Sequence, residues 1–149
     1  MNEFSIEELF QNNDFNNKDL ESTNYEYKNS TEITELRKSG NLDLAYKIAK
    51  KQLENNPDNI LDKRSLGWCI YDYLKQNNSV DNKDVFIRYL NELKNIDLPA
   101  TEKKIFDKST WQIFYLLNDC NKNKDEFGTI DFFYIFLDEL FDIIKNFHF

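Results

Sequence analysis

The chain has little of what several protein classes need. Its 149 residues include three glycines, two prolines, two cysteines and one histidine. So few turn-forming residues argue against β-sandwiches and β-barrels, which need many tight turns. The two cysteines, Cys69 and Cys120, lie too far apart in sequence for a Cys-x-x-Cys metal pair, and they form no disulfide framework. His148, next to the C-terminus, leaves no histidine elsewhere for an acid–base relay or a metal cluster.

Basic residues are fewer than acidic residues. Nineteen Lys and Arg residues stand against 27 Asp and Glu residues, and the net charge is −8. A general nucleic-acid binder needs a basic stripe that releases counterions, and an anionic membrane surface attracts basic segments. The sequence therefore predicts neither nucleic acid nor membrane as a partner.

No long uninterrupted apolar run is present. The first ten residues lack the basic and apolar regions of a signal peptide. The longest apolar stretch, from Ile130 to Ile144, contains several acidic residues and is unsuited to spanning a bilayer. We therefore expect a cytoplasmic protein.

The chain is rich in aromatic residues and in helical periodicity. Aromatic residues make up 15% of the chain. From Thr31 onward, apolar residues recur at three- and four-residue spacing, which predicts an all-α domain over residues 31–149. Residues 1–30 are acidic and Asn-rich, and we expect a lead-in there with a short helix over residues 5–11.

Turn residues divide the periodic part into about six helices. Gly40 is suited to ending the first helix, and the prolines at 57 and 99 mark the ends of the second and fourth. Because the connections are short, we expect three pairs of antiparallel helices. In the third helix the polar stripe is predicted to be Asp62, Ser65, Asp72 and Gln76. In the fifth helix the apolar residues are Ile105, Phe106, Ile113, Phe114, Leu116 and Leu117.

Residues 39–58 resemble a tetratricopeptide repeat. Gly40, Ala45 and Pro57 keep the family's spacing of turn glycine, small residue and helix-ending proline. Each has a physical reason, because glycine makes the tight turn, a small side chain lets two helices approach closely, and proline ends the second helix.

The resemblance extends to the start of the next repeat. Leu66 and Gly67 stand where the family's repeat opens, whereas Gln52 occupies a position at which the family has a second small residue. The resemblance covers about residues 31–74. It implies a short right-handed array of stacked antiparallel helix pairs, in which the first helix of each pair lines a concave, peptide-binding surface.

The resemblance implies a non-enzymatic adaptor or scaffold that binds a peptide or a protein. By family position, the groove residues are Arg64, Trp68, Tyr71 and Asp72. Arginine offers paired donors to a carboxylate, and Trp and Tyr offer rigid contact area. The alternative for Trp68 and Tyr71 is packing against neighbouring helices, and for Arg64 it is an ordinary solvated charge.

The last helix is apolar around most of its circumference, which is more than one interface needs. We expect Phe132, Phe136, Leu140 and Phe141 to include residues of a homodimer contact. The alternatives are cover by earlier elements of the same chain, among them residues 1–30, and continuation of a longer array. Its polar stripe is predicted to be Asp131, Asp138, Asp142 and Lys145.

An enzyme is not expected. The three glycines are isolated, so no phosphate-binding loop is present, and no residue set predicts a catalytic, metal or cofactor site. The second functional hypothesis is a small acidic inhibitor or immunity-type protein that neutralises a basic partner by charge complementarity. Such an inhibitor would gather its acids into one patch, whereas an adaptor would keep a groove of mixed charge.

Overall fold

The computed structural model describes residues 27–145 and Phe147. These residues form six α-helices and two short 3₁₀ turns, with no strand among them. The elements are α1 (Ser30–Lys38), α2 (Leu42–Asn55), α3 (Ile60–Gln76), η1 (Val80–Asn82), α4 (Lys83–Ile96), α5 (Lys103–Lys122), η2 (Lys124–Phe127) and α6 (Ile130–Ile144). The predicted all-α class and the predicted number of helices are confirmed for this part of the chain. The short helix predicted over residues 5–11, most of the predicted lead-in, and His148 lie outside the described residues.

The chain divides into two compact units, residues 1–69 and 70–149. The boundary falls within α3, which is a single uninterrupted helix. The first unit contains α1, α2 and the first part of α3. The second unit contains the rest of α3 and all later elements.

In the first unit, α1 begins at a capping box. The Asn29 side chain accepts a hydrogen bond from the Glu32 backbone N–H, and the Glu32 carboxylate accepts one from the Asn29 N–H, both at 2.9 Å. α1 packs against α2, and the turn between them passes through Gly40 at φ 89°. Glycine alone adopts this conformation without strain, so the predicted turn is confirmed. Ala45 on α2 is fully buried.

A buried glutamine holds the chain that precedes α1. The Gln52 side-chain amide donates to the Lys28 carbonyl oxygen at 2.9 Å, and its Oε1 accepts from the Lys28 N–H at 2.7 Å. One side chain thus satisfies both backbone groups of Lys28. Gln52 therefore has a structural role that the family pattern, with a small residue at this position, does not indicate.

A second anchor joins the same segment to α3. The Tyr27 hydroxyl donates to Asp62 Oδ1 at 2.5 Å, and the Asn59 side chain accepts from the Asp62 backbone N–H at 2.9 Å. Asp62 and Ser65 are both buried. The predicted polar stripe of α3 is therefore buried at these two residues. Helical periodicity does not reveal that the chain before α1 returns to contact this part of α3.

In the second unit, two polar contacts hold η1 and the loop before it to α5. The Val80 backbone N–H donates to the Asp119 carboxylate at 2.8 Å, and the Asn78 side chain donates to the Gln112 side chain at 2.6 Å. Gln112 and Ser109 lie in the buried face of α5. That face is completed by the apolar residues Ile105, Phe106, Ile113, Leu116 and Cys120.

Aromatic side chains connect η2 to α6. The Phe127 ring centroid lies 5.2 Å from that of Phe133 and 5.4 Å from that of Phe136. The Lys83 ammonium stands 5.0 Å from the centroid of Phe127. Thr129 caps α6 by accepting from the Phe132 backbone N–H. Within the described residues, no helix combines the length and the apolar composition needed to cross a membrane.

Candidate functional site

The predicted groove residues of the first unit are Arg64 and Trp68, and both are partly buried. The Arg37 guanidinium, on α1, lies 5.4 Å from the centre of the Trp68 ring. This arrangement is a cation–π contact, so Trp68 has a partner within its own unit and also keeps some accessible surface.

The other two predicted groove residues belong to the second unit. Tyr71 is buried, with 9% of its surface exposed, whereas Asp72 is partly exposed. Tyr71 therefore offers little surface to a partner. The role of α3 in binding stays a prediction, and it depends on Arg64, Trp68 and Asp72.

The most exposed aromatic residues of the second unit include three neighbours on α5. Trp111, Phe114 and Tyr115 are 60%, 54% and 52% exposed. The centroid of the Trp111 ring lies 6.0 Å from that of Phe114 and 6.5 Å from that of Tyr115. Because these residues are spaced three and four apart, they lie on one side of the helix. We call them the aromatic cluster.

The charges around the aromatic cluster are mostly positive. Exposed lysines lie before and after the cluster along α5. They are three to eight residues from the cluster and on the same side of the helix. The exposed charged residues of this helix are Lys103, Lys104, Asp107, Lys108 and Lys122. With the aromatic cluster, they make up what we call the α5 face. A local excess of lysine is notable in a chain whose net charge is −8.

The sequence pattern does not predict this surface, because it groups Phe114 with apolar residues such as Ile105 and Ile113. Phe114 is exposed, and the buried side includes the polar residues Ser109 and Gln112. The signal available in the sequence was the spacing of Trp111, Phe114 and Tyr115. This spacing marks a second apolar stripe. It lies on a different side of α5 from the buried stripe through Ile105 and Ile113.

α6 also presents an exposed apolar surface. Phe136 and Leu140, two of the predicted subunit-contact residues, are buried in their own unit, and Leu140 is 0% exposed. Their side chains therefore belong to the core and offer almost no surface to a partner. Phe132 and Phe141 are exposed, as are Tyr134 and Ile135.

Acidic residues alternate with the exposed apolar residues of α6. All of the acidic side chains of this helix are exposed, namely Asp131, Asp138, Glu139 and Asp142. The Lys145 ammonium contacts the Asp142 carboxylate at 2.8 Å, and this hydrogen bond lowers the pKa of Asp142. The predicted polar stripe of α6 is therefore on the surface. We call these acidic residues, with Phe132, Tyr134, Ile135 and Phe141, the α6 face.

The second unit also contains a charged cleft and a buried cysteine. An open cleft of about 480 Å³ lies between α4 and α6, and charged side chains of both signs line it, so neither anions nor cations are favoured. Cys120 is fully buried, and burial, with a smaller contribution from the Asp119 charge, raises its pKa to about 11. A thiol with so high a pKa is a poor nucleophile. Among the described residues, no group of His, Cys, Asp and Glu is arranged to hold a metal ion.

No family model, curated protein or solved structure matches the chain. The resemblance to a tetratricopeptide repeat therefore depends on the residues named above.

Proposed function

We propose that the chain is a non-enzymatic protein–protein interaction module that acts as an adaptor or scaffold. The observation that carries this proposal is the aromatic cluster, whose three rings are exposed side by side on α5. Trp and Tyr are enriched among the residues that dominate binding energy, because they bring a large rigid area to an interface. The flanking lysines favour a partner with acidic side chains.

The proposal includes a second surface on α3. In a tetratricopeptide-like array of antiparallel pairs, this helix would line a concave peptide-binding surface. The glycine turn at Gly40 and the buried Ala45 support such a repeat. The partial exposure of Arg64 and Trp68 supports a contact there. Neither cysteine of the chain forms a disulfide, and both are buried, which favours a cytoplasmic location.

Selection from a displayed library of random peptides tests this function. We expect the wild-type chain to enrich peptides with acidic and apolar residues. Trp111→Ala should weaken binding of the enriched peptides at least about thirtyfold, since truncating an interface hot spot costs about 2 kcal/mol or more. Arg64→Ala should do so only for peptides bound at α3.

Lys50→Ala serves as the matched control, because Lys50 is exposed and lies on α2, which carries neither surface. Failure of the wild type to enrich any peptide above this background would contradict the proposal. Peptides that bind the wild type and the Trp111→Ala and Arg64→Ala variants equally well would contradict the two assigned surfaces.

The acidic inhibitor remains a second candidate because of the α6 face. Asp131, Asp138 and Asp142 are exposed at intervals that place them on one side of the helix. A basic toxin or nuclease would find there both negative charge and apolar contact area. Inhibition of a basic nuclease by the wild type, lost in Asp138→Lys/Asp142→Lys, would support this function over the adaptor.

A further inference from the structure

The α5 face and the α6 face have opposite charge and similar apolar content. On the α5 face, four lysines and one aspartate surround Trp111, Phe114 and Tyr115. On the α6 face, four acidic residues alternate with exposed aromatic and aliphatic side chains. Each face therefore combines a large apolar surface with charges of the sign opposite to those of the other face.

The two faces are also matched in length and in spacing. At about 1.5 Å per residue, α5 extends for about 30 Å and α6 for about 22 Å, so α6 fits along α5. Lys104 and Lys108 are one helical turn apart, and so are Asp138 and Asp142. Two ion pairs can therefore form between the helices in one register.

Among the described residues, the apolar side chains of both faces stay exposed, although Asp142 is paired with Lys145 and borders the cleft against α4. Trp111 on α5 and Ile135 on α6 each have more than half of their surface exposed. Exposed apolar surface of this extent is a common mark of an interaction site. Both faces belong to the second unit, and each complements the other. A second copy of the chain therefore carries a surface that fits each of them.

Resting on the proposed protein-binding function, we propose that the partner of the α5 face is the α6 face of a second copy of this chain. The aromatic cluster packs against Tyr134 and Ile135 of the other copy, with the two helices antiparallel, and the lysines pair with its acidic residues. Two copies of an acidic chain repel each other overall, so the local pairing of opposite charges sets which surfaces meet.

Charge reversal tests this pairing in the full-length chain. Variant A is Lys104→Glu/Lys108→Glu, which makes the α5 face acidic. Variant B is Asp138→Lys/Asp142→Lys, which makes the α6 face basic. All four side chains are exposed, and the exposed Asp142–Lys145 ion pair lost in variant B contributes little to folding. Circular dichroism verifies the helical content of each variant.

Sedimentation velocity at micromolar concentrations gives the readout. We expect the wild type to associate beyond the 17.9 kDa chain mass, and each variant alone to associate at least about tenfold more weakly. An equimolar mixture of A and B should recover association. The basic α5 face of B then meets the acidic α6 face of A, and the acidic α5 face of A meets the basic α6 face of B. Association should weaken as salt is raised.

Lys38→Glu/Lys75→Glu is the control, because it changes the net charge as variant A does but at exposed sites outside both faces. Equal loss of association in this control would overturn the proposal in favour of a bulk-charge effect. If variant A does not fold, Lys104→Gln/Lys108→Gln replaces it, with weaker association expected.

A monomeric wild type, or an A–B mixture that stays monomeric, would overturn the pairing of faces. A monomeric wild type is also the result expected if residues 1–26 of the same chain, which are rich in acids, occupy the α5 face. A monomer that still selects peptides through Trp111 would leave the proposed function standing and remove only this inference. A monomer that selects no peptide would remove both.

Discussion

Gln52 provides the most direct test of how the first unit is held together. Its side chain pairs with both backbone groups of Lys28, and it is buried. Gln52→Ala leaves these groups without their partner and removes buried side-chain atoms. We expect the free energy of unfolding to fall by about 2 kcal/mol, because an unsatisfied buried polar group costs about 1–3 kcal/mol.

Urea denaturation followed by circular dichroism measures this change. Gln76→Ala is the matched control, since Gln76 is exposed at the end of α3. Its effect should stay within about 0.5 kcal/mol, as for most surface substitutions. Equal stability of the two variants would show that the pairing with Lys28 contributes nothing.

Cys120 gives a prediction that depends on pH. Burial raises its pKa from 9.0 to about 11, so at pH 8 its thiolate fraction is about a hundredfold lower than that of an ordinary cysteine thiol. We expect alkylation by iodoacetamide to be much slower in the native chain than in urea. Peptide mapping separates Cys120 from Cys69.

The raised pKa of Cys120 also determines how the free energy of unfolding changes with pH. Because the thiol holds its proton more tightly in the folded state, its contribution to the free energy of unfolding is complete below pH 9. It is lost as the pH rises through about 11. Over this range the wild type should lose more stability than Cys120→Ala. Parallel pH profiles for the two chains would contradict the assignment.

At the scale of elements, Ala45 tests the packing of the first two helices. It is fully buried on α2, at the position where the tetratricopeptide pattern has a small residue. Ala45→Leu should lower the free energy of unfolding by about 1–3 kcal/mol through overpacking. Thermal unfolding measures the change, with Lys47→Leu on the same helix as the control. An unchanged melting temperature would indicate that α2 has room at Ala45.

Helix bounds could be predicted from the sequence because their causes are local. Gly40, Pro57 and the caps act on neighbouring backbone, and the observed ends of α2 and α4 follow the predicted ones closely. Which side of a helix is buried is not local. Asp62 is buried because Tyr27, 35 positions away, donates to it. Phe114 is exposed because a face containing Gln112 packs instead.

The candidate surfaces also divide into features that the local sequence determines and features that tertiary packing determines. The repeat register predicts Trp68 and Arg64 as groove residues, which stays a prediction, and the sequence shows the excess of apolar residues in α6. It did not separate Phe136 and Leu140, which fill the core, from Phe132 and Phe141, which remain exposed. That separation requires the packing of η2, whose Phe127 ring contacts Phe136.

At the scale of the whole molecule, the boundary between the two units falls within the continuous helix α3. Helix formation is cooperative, so unfolding one part of α3 destabilises the part that follows. We therefore expect the two units to unfold together. The two tryptophans of the chain report on them separately, because Trp68 lies in the first unit and Trp111 in the second.

The single-tryptophan variants Trp111→Phe and Trp68→Phe, unfolded in urea, provide the measurement. Each fluorescence transition is compared with the circular dichroism transition of the same variant, so that stability changes caused by the substitution cancel. Coincident midpoints in both variants are expected for one cooperative transition. If Trp68 fluorescence changed at a lower urea concentration than the helical signal, α3 would fail to couple the units. Gln52→Ala would then be expected to shift only the Trp68 transition, because Gln52 holds the first unit alone.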